Sequence, residues 1–107
     1  MRLWMVDPSL MCRKHLLGEH VECHMFVGTL LKGISVNGYL SKGLLEIHNL
    51  RSRHEELSRE MTKRGYSHKS ELPEFVSREC GSIDRVANLM ELARRCPLCR
   101  DLIKSNK

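Results

Sequence analysis

Residues 47–65 read IHNLRSRHEELSREMTKRG, and their spacing decides the fold. Ile47, Leu50, His54, Leu57 and Met61 recur at steps of three and four residues, which lays one apolar stripe along a helix with charged outer faces. Lys63 and Arg64 sit where cations complement a helix C-terminus, and Gly65 supplies the residue at which the chain can turn away. A satisfied core histidine is the expectation for His54, because it falls within the stripe.

Working back from this helix, GISVNGYLSKG (33–43) holds three glycines and an Asn-Gly pair and predicts a loop. Before it, Leu10, Leu17, Val21, Met25, Gly28 and Leu31 recur at helical steps. They predict a helix from about Leu10 to Lys32, opened by Asp7-Pro8-Ser9 and closed by Gly33. Working forward, the periodicity breaks between Tyr66 and Gly81, with Pro73 inside. A last helix is expected from Ser82 or Asp84 through Ile83, Val86, Met90 and Ala93. Pro97 should kink or restart it, and Leu102 and Ile103 should pack before the KSNK tail. No segment alternates with period two. The expectation is an all-α, single compact domain of three main helices spanning residues 1–107.

With 107 residues, 41% hydrophobic and 29% charged, the chain has the make-up of one soluble globular domain. Aromatic residues are only 5% of the chain, so Leu, Met, Val and Ile must fill the core, with Met5, Met11, Met25, Met61 and Met90 as filler. A formal charge of +5 favours an anionic partner, nucleic acid first. No apolar run approaches the ~20 residues a membrane span needs, and no secretory leader is visible. Five cysteines without an export signal predict reduced thiols and a cytoplasmic location.

Cys96-Pro-Leu-Cys99 has zinc-knuckle spacing, and His20 and His24 form an i, i+4 pair able to share an ion. The two pairs lie far apart in sequence, so the expectation is no metal. Cys12, Cys23 and Cys80 are expected to be packing thiols. His15, Glu19 and Glu22 lie on one helix face, where solvation or pairing with Arg13 or Lys14 would be their ordinary fate.

Three stretches then gather into one resemblance: HLLGEHVE (15–22), FVGTLLKG (26–33) and LRSRHEELSREMTKRGYSHKS (50–70). They resemble the pyrimidine-dimer DNA glycosylase family, in which an N-terminal amine precedes an arginine. A helix there carries a His-Leu pair and a glutamate seven residues after the histidine. A phenylalanine and a glycine follow, and the second long helix ends in Lys-Arg-Gly-aromatic. Those positions here are Met1, Arg2, His15, Leu16, Glu22, Phe26, Gly28 and Lys63-Arg64-Gly65-Tyr66. NLMELARRCPLCRDLI (88–103) also looks like the C-terminal segment of shorter relatives.

The resemblance implies an all-α enzyme whose α-amine attacks C1′ of a damaged nucleotide, expels the base, forms a Schiff base and nicks the strand by β-elimination. It assigns the nucleophile to Met1 and the carboxylate partner to Glu22, with no metal and no cofactor. Arg2 is consistent with this, because aminopeptidase removal of Met1 requires a small second residue. An α-amine titrates at about pH 8, so part of it is the reactive free base at neutrality without any large shift. The implied partner is duplex DNA with a damaged base or abasic site, met by a monomer and away from membranes. Phosphate contacts are assigned to Arg2, Arg13, Lys14, His15, His20, Lys32, Arg51, Arg53, Lys63 and Arg64, from the N-terminal helix and the RSRH (51–54) and KRGYSHK (63–69) clusters.

Two departures stand out. Val21 and Met25 occupy positions where phage members carry DNA-gripping arginines, and RRCPLCRDLIKSNK (94–107) replaces an aromatic-rich tail. A non-catalytic basic module that binds DNA or protein is the alternative, and a zinc-stabilised adaptor the weaker third.

Overall fold

Gly33 and Gly65 adopt φ values of +72° and +84°, and each follows the end of a long helix. The left-handed conformation is the reason glycine stands there. The computed structural model describes residues 1–67 and 71–105. His68 and Lys69 of the KRGYSHK cluster, and Asn106 and Lys107 of the tail, lie outside the described residues.

Among the described residues, five helices follow in order: α1 (Arg13–Leu31), α2 (Asn37–Ser41), α3 (Leu50–Lys63), α4 (Arg85–Arg95) and α5 (Pro97–Ser105). The described residues contain no strand, so the fold is all-α, with three long helices and two short ones. Short 3-10 turns at Pro8–Leu10 and Ile47–Asn49 precede α1 and α3. Asp7 caps only the first of these turns, accepting from the Ser9 N–H at 3.0 Å, and α1 starts later with Cys12 at its N-cap. The glycine-rich loop contains α2. Asp84 caps the start of α4 through the Ala87 N–H, and Pro97 restarts the chain as α5 because its fixed φ suits a first helical position. No described helix is long and apolar enough to cross a membrane.

The buried faces differ from the periodic expectation in two helices. In α1 the core side chains are Leu16, Glu19, His20, Cys23, Phe26 and Val27, while Val21, Met25 and Leu31 are exposed. This helix is apolar on most of its circumference, so side-chain spacing leaves the choice of inner face open. In α4 the chain buries Asn88 and Leu92 and exposes Val86 and Met90. Ile83 is buried but precedes the helix, so it does not extend a stripe through Val86 and Met90. The stripe of α3 is as expected, with Leu50, His54, Leu57 and Met61 buried.

Helix α1 packs chiefly on α3, and α4 on α5. The extended segment before Asp7 joins them, with Leu3, Trp4 and Val6 buried. A buried Glu46 holds the approach to α4, accepting from the Ile83 N–H at 2.7 Å, from Asn49 Nδ2 at 2.7 Å and from Arg85 Nη2 at 2.9 Å. Gly81 makes this approach possible: at φ +98°, a Cβ there would meet the Leu45 carbonyl oxygen at 2.1 Å.

Candidate active site

Asn88 grips the N-terminal segment from two sides. Its Nδ2 donates to the Trp4 carbonyl at 2.9 Å and to the Leu3 carbonyl at 3.5 Å, while its Oδ1 accepts from Arg2 Nη2 at 2.8 Å. The Arg2 guanidinium stacks over the Trp4 ring at 3.8 Å, and the Leu3 N–H donates to the Leu44 carbonyl at 2.8 Å. Further along, Met5 sits at φ +57°, a conformation costly for a side chain of its size, and its N–H points to Glu19 Oε2 at 3.5 Å. The first residues are therefore held against α1 and α4 by side chains and backbone, and Met1 itself is half-buried.

Glu22 lies on α1 within the electrostatic field of the N-terminal ammonium. Burial pushes its carboxyl above the ordinary value, and the ammonium charge and the backbone N–H of Arg2 offset this only in part. A half-desolvated carboxylate holds its proton more tightly than a solvated one, and such perturbed groups gather at functional sites. Next to Met1 opens a cavity of about 380 Å³ lined by Met1, Gly38, Tyr39, Lys42 and Leu44. That volume falls in the range of ligand pockets, roughly 300–1,000 Å³.

Glu19 has a different place from Glu22. It is sealed in the core, bonded by Arg53 Nε at 2.6 Å and Arg53 Nη2 at 3.0 Å, rather than solvated or paired with Arg13 or Lys14. This corrects the assignment of Arg53 to phosphate contact: its side chain is 1% exposed, and Glu56 occupies its third nitrogen at 2.6 Å. His20 is corrected likewise, since it is buried against His24 and His54. Arg64 is half-buried and tied to Glu60 at 2.8 Å and to the Pro8 and Met11 carbonyls at 3.0 and 2.7 Å. His15 lies against Trp4 and the thiols of Cys12 and Cys99. Burial, then the charges of Lys14 and Arg95, push it below its ordinary value, which disfavours its cationic form.

Exposed cations remain at Arg13, Lys14, Lys32 and Lys63, with Arg51 half-exposed against the Pro73 carbonyl. On α1, Lys14, Gly18, Val21, Met25 and Lys32 follow one another at helical spacing along the exposed side. The outer face of α1 is thus an apolar middle with a lysine toward each end, flanked by Glu22. Asn88 and Lys42 were not legible as site residues. Asn88 is one polar residue within an amphipathic helix, and Lys42 lies in a segment whose folding brings it beside Met1.

Among the described residues, two groups of side chains have metal-ligand chemistry. His20, His24 and His54 meet with ring centroids 4.6–5.1 Å apart. Cys12, His15, Cys96 and Cys99 form the other group. His20 and His24 do not join Cys96 and Cys99, because the histidine pair meets His54 of α3.

No curated protein and no solved structure matches the chain. A family model described as pyrimidine dimer DNA glycosylase matches residues 1–74, the portion that supplies Met1, Glu22, the buried Glu19–Arg53 pair and the outer face of α1. The chain belongs to the pyrimidine dimer DNA glycosylase family.

Proposed function

We propose that the chain is a bifunctional glycosylase and abasic-site lyase in which the Met1 α-amine is the nucleophile and Glu22 its carboxylate partner. The amine lone pair attacks C1′ of the damaged nucleotide, and the base leaves with the electron pair of the glycosidic bond and takes up a proton. The amine loses a proton, the sugar ring opens at O4′, and a Schiff base joins nitrogen to C1′. Loss of a C2′ proton then drives β-elimination of the 3′ phosphate. Glu22 opposes positive charge as it builds on the sugar and accepts a proton in these steps. The reacting centre needs no metal, because the iminium nitrogen itself is the electron sink.

The observation that carries this proposal is a half-buried Glu22 that takes a hydrogen bond from the Arg2 backbone N–H and feels the charge of the N-terminal amine, at the end of a segment clamped by Asn88. A nucleophile on an anchored segment avoids the entropy of being positioned in each turnover. C1′ is shielded in a duplex, so a nucleotide must leave the stack, and the cavity beside Met1 with Lys42 in its lining is the natural receptor. The substrate is duplex DNA carrying a pyrimidine dimer or an abasic site, bound through the exposed face of α1.

Borohydride added to a mixture of protein and abasic duplex tests this. A covalent adduct mapping to the N-terminal peptide is expected, and a peptide tag ahead of Met1 should leave DNA binding and abolish nicking. An adduct on Lys14 or Lys32, or nicking that survives the tag, contradicts it. Binding without any adduct indicates the non-catalytic module instead.

A further inference from the structure

Cys12 and His15 stand at the start of α1, and Cys96 and Cys99 at the start of α5, beyond the segment that matches the family. Their three Sγ atoms and the imidazole nitrogen all lie within 4.8 Å of one another. The Cys12 and Cys96 sulfurs are 3.8 Å apart, and His15 Nδ1 is 3.2 Å from Cys12 Sγ and 3.6 Å from Cys99 Sγ. A tetrahedral zinc with bonds of about 2.3 Å to sulfur and about 2.0–2.1 Å to nitrogen has S···S edges near ~3.8 Å and S···N edges near ~3.5 Å. These three edges lie within about 0.3 Å of those of such a tetrahedron, and the other three are no longer than 4.8 Å.

We infer that Cys12, His15, Cys96 and Cys99 form a structural zinc site that staples α1 to α5. Backbone N–H groups point at two of these sulfurs. The Cys12 N–H donates to Cys99 Sγ at 3.1 Å, and the Cys99 N–H points to Cys96 Sγ at 3.5 Å, the outer-shell bonding that steadies metal-bound sulfur. Cys12 is also the N-cap of α1, where no side-chain oxygen bonds the free N–H groups and the helix dipole favours negative charge. Three thiolates and a divalent ion carry one net negative charge, with the cation Lys14 two residues from Cys12.

The three cysteines are buried and His15 is the half-exposed fourth member. Four protein ligands leave no open position for water or substrate, so the ion has a structural role and is separate from the chemistry at Met1. The metal would fasten the C-terminal helices to the first turn of α1, and α4 carries the Asn88 clamp. A Cys12–Cys96 disulfide is the competing use of two of these sulfurs, and it would need an S–S bond of about 2.05 Å and leave Cys99 and His15 without a role.

The full-length protein, purified under reducing conditions, should contain about one zinc per chain by elemental mass spectrometry. Exchange for Co(II) should give thiolate-to-cobalt charge-transfer absorption and the strong visible bands of a tetrahedral ion. Cys96→Ser and Cys99→Ser should each lose both the zinc and the charge-transfer band. His15→Cys restores a four-ligand set and should keep the metal with stronger charge transfer, which guards against a serine variant that merely misfolds. Metal-free native protein with no charge-transfer band on cobalt addition overturns the inference. So does metal that survives both serine variants, or a Cys12–Cys96 disulfide in the native protein.

Discussion

Arg53 Nε meets Glu19 Oε2 at 2.6 Å, with both side chains sealed from solvent. The pair joins α1 to α3, and Glu19 also faces the N–H of the strained Met5 at 3.5 Å. A buried carboxylate on α1 thus fixes where the N-terminal segment runs, one helical turn from Glu22, which takes a hydrogen bond from the Arg2 backbone N–H. Arg53, Glu19 and Met5 form the frame on which the proposed chemistry rests.

Glu19→Gln should cost about 3–5 kcal/mol, because it leaves the Arg53 charge buried with one fewer partner. Urea unfolding measures this. A change within about 0.5 kcal/mol would mean that water or Glu56 compensates the arginine fully.

Glu22→Gln should behave in the opposite way. The folded-state pKa of Glu22 is raised above its ordinary 4.5, so the folded protein holds the proton more tightly than the unfolded chain. The associated stability is full below that ordinary value and is lost as pH rises through the raised one. At neutral pH the glutamine should therefore leave the melting temperature unchanged or higher, while turnover falls by ~10²-fold or more. In the native enzyme the acid limb of the pH–rate profile should lie above the ordinary carboxylate range, and Glu22→Gln should remove it.

Asn88→Ala removes the clamp on Leu3 and Trp4 and should cost about 1–3 kcal/mol. Single-turnover nicking should fall by more than DNA affinity, because the amine loses its position while the exposed cations keep theirs. Equal losses would place Asn88 in general stability only.

Log affinity for duplex DNA should fall with log salt at a slope of about −4, the response of four or five phosphate contacts. Lys14→Ala and Lys32→Ala should each reduce the slope by ~1. A flat salt response would point to a protein partner instead.

Strand cleavage at an abasic site should outpace excision of a cyclobutane dimer. The abasic sugar already offers an aldehyde, whereas the dimer demands extrusion costing a few kcal/mol from a face whose middle is Val21 and Met25. Val21→Arg with Met25→Arg should raise dimer excision and leave the melting temperature unchanged, since both side chains are exposed. Single-turnover rates on matched duplexes decide it. Dimer processing that is already faster in the native chain would show that arginines are not needed there.

The sequence by itself determined the long helices and most of their ends, though not the short α2 or the start of α1 at Arg13: the stripe of α3, the glycines at 33 and 65, the Asp84 start of α4 and the break at Pro97 each act through neighbours a few residues away. The chemical types at the family positions were equally legible, which is why Met1 and Glu22 could be named without coordinates. Only the tertiary structure decided which side of α1 faces inward, since an apolar circumference has no preferred face until a buried partner selects one. Arg53 made that selection by reaching Glu19, and it turned a presumptive DNA contact into a core ion pair. The same holds for Asn88 and for the meeting of Cys12 and His15 with Cys96 and Cys99, side chains more than eighty residues apart whose proximity depends on packing that no local spacing encodes.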